Sequence, residues 1–206
     1  MRLIKYKKIN KKINNFQLRN LIFILKVENR TSILANLSKK NINKYLQEVV
    51  VSKNLELFVI IKKDIIGYAL LANKPEYLMR SFERFKLNFF FDLLLNLKFI
   101  TLFNIFLAKF GFDQATIPVK NKKIFSESLN LNLLGIKKDY QSKGIGKNFL
   151  KYIFKYYKFK NKYIVCETDN FRSNRFYKKK LNFKSIGKKI RFPKLMDVLA
   201  KNYRLF

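Results

Sequence analysis

Apolar and polar positions change rhythm several times along the chain, and each change marks an element. Leu3 to Ile9 reads as a short strand, and Phe16 to Val27 and Asn41 to Val51 carry apolar residues at helical spacing. Leu55 to Lys62 and Ile65 to Ala72 are two apolar, partly β-branched runs parted by Lys63-Asp64, the pattern of a hairpin, with Pro75 closing it. From 78 to 110 the polar residues Arg80, Arg84, Asn88, Asp92 and Asn96 recur on one stripe of a helix otherwise sheathed in Phe and Leu. This predicts a mostly buried helix or helical pair, ended by Gly111 and Pro118. Leu129 to Ile136 returns to strand character. Lys147 to Phe159 is an amphipathic helix, Tyr163 to Thr168 a β-rich run, and Ser173 to Leu181 helical again. Phe183 to Ile190 and Leu195 to Tyr203 supply closing strands.

Strands and helices are interspersed along the chain, with a hairpin and a helical pair among them, so the expected class is α/β (α+β), a mixed central sheet flanked by helices. At 206 residues the chain suits one domain spanning 1–206. With 49% hydrophobic and 16% aromatic residues it buries a core despite its charge. The single cysteine, Cys166, forms no internal disulfide and belongs to no zinc spacing. Histidine is absent, which removes Ser-His-Asp and Cys-His mechanisms and the commonest transition-metal ligand; no metal site is expected. The basic start, Met1 to Asn15, is followed by an apolar run too short for a signal peptide, and charges interrupt Leu78 to Phe112, so a cytoplasmic protein is expected. A net charge of +32, from 45 basic and 13 acidic residues, is compatible with nucleic acid, anionic membrane or a phosphorylated ligand. Lys far outnumbers Arg, however, and Asn, Ile, Phe and Tyr abound, as an AT-rich coding sequence would favour. A solvated surface is therefore ranked above nucleic-acid binding.

The chemistry sits in Leu133 to Lys147, a strand, a glycine turn and a helix. Such a turn aims unpaired backbone N–H groups and the positive end of a helix dipole at one point, which suits a phosphate. Glycine at 144 and 146 keeps Cβ atoms away from the approaching anion. A Walker A loop would need Gly at 141 and Ser or Thr at 148, where Gln141 and Asn148 stand; a dinucleotide loop would need Gly at 149, where Phe149 stands.

The remaining pattern, Gln141-x-x-Gly144-x-Gly146, resembles the pyrophosphate loop of the GCN5-related N-acetyltransferase (GNAT) superfamily. Upstream, Ile136-x-x-Asp139-Tyr140-Gln141 keeps the family's strand-end rhythm, with Lys138 for a frequent proline. Downstream, Asn170-x-x-Ser173-x-x-Phe176-Tyr177 matches a second family motif with Ser for Ala. The tail of that motif, Tyr177 to Phe183, is one residue longer than usual and has Asn182 in place of Gly. The resemblance is strongest over 127–190.

The resemblance implies a GNAT-like fold, acetyl-CoA as cosubstrate, and transfer of acetyl to a primary amine by direct attack on the thioester, which needs no cysteine or histidine. By this analogy the backbone of Leu134 and Ile136 binds pantetheine in a gap between splayed strands. Gln141, Ser142, Lys143, Gly144, Ile145, Gly146 and Lys147 surround the pyrophosphate, Asn170 contacts the pantetheine region, and Tyr177 protonates the departing thiolate. For the general base, Glu127 is ranked just ahead of Glu167, with a surface role for both and a water relay left open. Simpler roles stand beside these: Tyr177 as a core aromatic, Asn170 as a helix N-cap, Lys178 to Lys180 as a solvated face or a contact to CoA phosphates.

The stretch 73–126 exceeds the family's usual connection and is expected to be a helical insertion between the third and fourth strands. Core plus acceptor wall is the favoured reading, with a lid, a homodimer surface and a peripheral membrane contact as the alternatives. The acceptor is left as an amino sugar, a small amine or a protein amino group. The rival for the whole chain is a non-catalytic basic module for nucleic acid or anionic membrane.

Overall fold

The computed structural model describes residues 3–73, 86–110, 116–157 and 163–202. Pro75, Arg80, Arg84, Gly111, Phe159 and Tyr203, used in the sequence reading, lie outside them.

Seven strands form one sheet. They are β1 (Lys5–Ile9), β2 (Leu55–Ile61), β3 (Ile65–Ala72), β4 (Leu129–Ile136), β5 (Tyr163–Thr168), β6 (Lys184–Arg191) and β7 (Lys194–Asn202), in the order β1-β2-β3-β4-β5-β7-β6. Every neighbouring pair is antiparallel except β4 and β5, which run parallel. Helices α1 (Asn15–Glu28) and α2 (Lys39–Val51) cover one face, and α6 (Ile145–Tyr157) covers the other. Two-sided cover explains why β2 and β3 read as nearly continuous apolar runs: Leu57, Val59, Tyr68 and Leu70 pack under α1 and α2, while Phe58, Ile60, Ala69 and Leu71 pack under α6.

Local signals fix the helix starts. Asn14 caps α1 by accepting the Gln17 N–H at 2.9 Å, and Ser38 caps α2 by accepting from Asn41. Asn170 caps α7 (Phe171–Arg175), its side-chain oxygen accepting the Arg172 N–H at 2.8 Å. Helix α7 then widens into a π turn over Phe176–Lys180, which takes up the additional residue noted in the motif tail. Asn182 follows at φ 57°, and the Phe183 N–H donates to the Tyr177 carbonyl at 3.0 Å, so Asn ends this helix as glycine commonly does.

The insertion holds α3 (Lys86–Leu95), α4 (Phe99–Lys109) and α5 (Val119–Ser126), with α3 and α4 parted at Leu97, φ 53°. The pair is present but is not mostly buried: among its described side chains only Phe89, Leu93 and Thr101 are buried. Asp92 points inward, accepting the Ser38 N–H at 2.6 Å and the Asn41 side chain at 2.8 Å, so this one residue of the stripe serves the N–H end of α2, while Asn88 and Asn96 are exposed. Burial alone would raise the Asp92 carboxyl, but those hydrogen bonds hold it below its ordinary range. Phe89 and Leu93 are buried beside the stripe, Phe89 against Tyr45, while most of the remaining Phe and Leu of α3 and α4 face outward.

Candidate active site

Strand β4 is bent by a bulge: Leu70 pairs with Leu133 and Leu71 with Leu131, leaving Asn132 as the surplus residue. Before the bulge, Leu129 to Leu131 pair with Ile164 to Cys166 of β5; beyond it β4 stays with β3 as far as Ile136, and β5 stays with β7. The two parallel strands therefore part at their C-terminal ends. A cavity of about 250 Å³ occupies the opening, lined by Asn130 to Leu134, by Glu167 to Asn170, by Tyr177, and by Glu28 and Asn29 at the end of α1.

The opening is edged by unpaired strand backbone. The Lys137 N–H reaches the Ile66 carbonyl at 2.9 Å, and antiparallel alternation then turns Gly135 and Leu133 toward β3 and the peptide groups of Leu134 and Ile136 away from it. Side chains take the carbonyls: Asn29 Nδ2 donates to Leu134 O at 3.3 Å and Gln141 Nε2 to Ile136 O at 2.7 Å.

Gln141 also donates to Glu28 at 2.7 Å, tying the loop to both β4 and α1; its side chain positions the loop and does not reach into open space. Ser142 (φ 60°) and Gly144 (φ +74°) take left-handed conformations, and the first helical bond of α6 runs from the Asn148 N–H to the Gly144 carbonyl. The N–H groups of Ile145, Gly146 and Lys147 thus form the first turn of this helix, ahead of its first backbone hydrogen bond. Ser142, Lys143, Gly144 and Lys147 are exposed around it. The two glycines differ in role. A Cβ on Gly144 would meet nothing within 4 Å, so its positive φ is the demand; on Gly146 it would lie 3.2 Å from Ile136 Cδ1 and 3.4 Å from Phe176 Cζ, so this glycine lets α6 sit against β4 and α7.

Tyr177 is buried between the rings of Phe176 and Phe183 and lines the cavity. Burial, reinforced by Cys166, pushes its phenol well above the ordinary value, so the proton stays on at neutral pH. Cys166 is buried in β5 with its thiol pushed up by burial and by Glu167, in keeping with an inert core cysteine.

Residues 120–183 match the family model described as the acetyltransferase (GNAT) family. Among solved structures, an acetyltransferase from Thermus thermophilus aligns with a TM-score of 0.59 at 12% identity, covering 98% of this chain and 99% of that one. Arylalkylamine N-acetyltransferase 2 from Aedes aegypti gives 0.57 at 12% identity, over 97% and 98% of the two chains. A GNAT-family acetyltransferase from Elizabethkingia anophelis with acetyl-CoA bound gives 0.51 at 15%, over 97% of each. The fold is that of the GNAT acetyltransferases. A search of curated proteins gives no match.

Within this GNAT fold the carboxylates fall differently from the sequence ranking. Glu127 is exposed at the end of α5, before β4 begins, and lines neither cavity. The strand from Leu129 to Ile136 then separates it from the loop by about 23 Å of extended chain. The cavity instead gathers Glu28, Glu167 and Asp169. Glu167 lies 3.3 Å from Lys189 Nζ and 3.2 Å from Arg191, and Asp169 lies 2.8 Å from Lys194. Asn132 escaped the sequence reading. Its side-chain nitrogen is buried at the bulge with no hydrogen-bond partner among the described residues, while the residue lines the cavity. Two Asn, Asn130 and Asn132, alternating with Leu in an otherwise apolar strand were the available signal.

A second cavity, about 320 Å³, shares Thr31, Ile33, Asn104, Asp169, Arg191 and Met196 with the first and continues it past Leu97 to Thr101 at the α3–α4 junction. Residues 97–101 and Asn104 of the insertion thus line this second cavity.

Proposed function

We propose that the chain transfers acetyl from acetyl-CoA to a primary amine. The observation that carries this is the parting of β4 and β5 beyond Leu131, with a cavity in the opening and the first turn of α6 packed against the end of β4 at Ile136. The pyrophosphate takes the N–H groups of Ile145, Gly146 and Lys147, with Ser142, Lys143 and Gly144 around it and Gln141 holding the loop. The pantetheine arm runs in the opening along the peptide groups of Leu134 and Ile136, with Asn170 at the far side.

On this reading the thioester lies in the cavity near Tyr177. The amine enters by the second cavity and attacks the thioester carbonyl carbon; the carbon–sulfur bond breaks, and the phenol donates a hydrogen bond and then a proton to the leaving sulfur. Glu167 takes the role that the sequence ranking gave Glu127: it receives the amine proton through an intervening water, since Lys189 and Arg191 already hold its carboxylate. The Asn132 amide nitrogen supplies a donor where the carbonyl oxygen gains charge.

The test is incubation of purified protein with acetyl-CoA and a panel of amino sugars, small amines and peptides, with mass detection of a gain of about 42 daltons, the mass of acetyl replacing hydrogen. Acetylated product with release of free CoA supports the reading. Tight CoA binding with no product across the panel would leave a non-catalytic binding module.

A further inference from the structure

We propose that the outer face of α3 and α4 is a docking surface for an anionic lipid bilayer. The helices are apolar on two sides. Inward, Phe89 and Leu93 join the core, Asp92 meets the start of α2, and the Asn41 side chain donates to the Asn88 carbonyl at 3.4 Å. Outward, they present Leu87 (72% exposed), Phe90, Phe91, Phe99 (60%), Phe103 and Phe106 to solvent. The β6–β7 hairpin extends the surface. Phe103 packs edge-on against Phe192 at 5.3 Å, and Asn104 Nδ2 donates to the Phe192 carbonyl at 2.8 Å, so helix and hairpin tip form one continuous patch. An apolar patch of this kind marks an interaction surface.

Charge selects the occupant. Asp92 is the only carboxylate between 86 and 110, and it is turned inward, so no carboxylate of that segment reaches the face. Exposed cations border it: Lys39 and Lys40 beside the Asp92 contact, Lys98 between the two helices, and Arg30 across the second cavity. Pairing two copies through this face would bring +32 against +32, whereas an anionic bilayer attracts the same charge. Length sets the mode of contact. At 10 and 11 residues, α3 and α4 are about 15 and 16 Å long, about half the hydrocarbon thickness, and among the described residues no helix is long and apolar enough to cross a membrane. They lie in the interfacial plane, rings and leucines inserted and lysines reaching the headgroups. This inference does not depend on the acetyl-transfer reading.

The experiment is co-sedimentation of the full chain with phosphatidylcholine vesicles, with and without about 30 mol % phosphatidylglycerol, at about 0.15 M salt, alongside light scattering for oligomeric state. Binding to the anionic vesicles is expected to be at least about tenfold tighter than to neutral ones. Phe90→Ser/Phe91→Ser/Phe106→Ser should weaken it by at least about tenfold with an unchanged melting temperature, and Lys39→Glu/Lys40→Glu/Lys98→Glu should weaken it without removing any apolar group. Val51→Ser/Val119→Ser, two exposed apolar positions off the face, should leave it intact. Failure of the wild type to sediment, equal sedimentation of the triple serine variant, or a dimer that this variant dissolves would overturn the proposal.

Discussion

Asp197 offers the most quantitative check on how the helix bearing Asn170 and Tyr177 is held to the sheet. It sits on β7, accepts from Asn174 of α7, is contacted by Lys188 of β6, and lies 3.1 Å from Lys178 in the π turn. Burial alone would raise its carboxyl, but the hydrogen bonds from Lys188, Asn174 and Lys178 bring it down from 3.8 to about 2. That difference amounts to roughly 2 kcal/mol of folding stability at neutral pH. Its side chain is 11% exposed, so the contribution is only lightly screened, although Lys178 and Lys188, at 39% and 53%, return to water without penalty when the partner is lost. The folded value is depressed, so the stabilisation is complete above about pH 5, about half remains near pH 3, and it vanishes below about pH 2. Urea unfolding of wild type and Asp197→Asn at low salt should show a gap of ~2 kcal/mol at pH 7 and about half of that at pH 3. The same gap at both pH values, or none at pH 7, would refute the coupling.

Other outcomes follow from the site. Tyr177→Phe keeps the ring between Phe176 and Phe183. It should therefore lower kcat roughly tenfold or more at saturating acetyl-CoA while CoA affinity holds; undiminished turnover would leave Tyr177 a core aromatic. Gly144→Val forces a β-branched residue to φ +74° beside the anion turn and should weaken CoA binding by calorimetry more than it lowers the melting temperature. Gly146→Val should do the opposite, because its Cβ presses on Ile136 and Phe176. Glu167→Gln should reduce kcat by about a hundredfold at saturating acetyl-CoA; an undiminished kcat assigns the amine proton to another acceptor.

Much of the site was legible in the sequence because its features are local. A turn that needs Gly144 in a left-handed conformation, a helix start at Asn170 and the apolar rhythm of β4 are all written within a few residues of where they act. What escaped depends on partners far along the chain. The stripe through Asn88, Asp92 and Asn96 does not say which of its members turns inward, and only the start of α2, some fifty residues earlier, draws Asp92 in while Asn88 and Asn96 stay exposed. Glu127 was ranked by closeness in sequence, yet an extended strand carries its neighbours away at about 3.3 Å per residue. The bulge at Asn132 is a mismatch between two strands and leaves no mark on either one alone.

The π turn at Phe176–Lys180 means that the length of chain between β5 and β6 is not dictated by the sheet. A wider turn stores a surplus residue sideways, so the helix upstream keeps its rotation and the left-handed Asn182 keeps its place downstream. The segment is thus a place where the gene can gain or lose a codon without moving the framework. Deleting Lys179 should tighten the turn to ordinary α-helical winding, leaving Asn170 at its cap and Phe183 bonded back into the helix end.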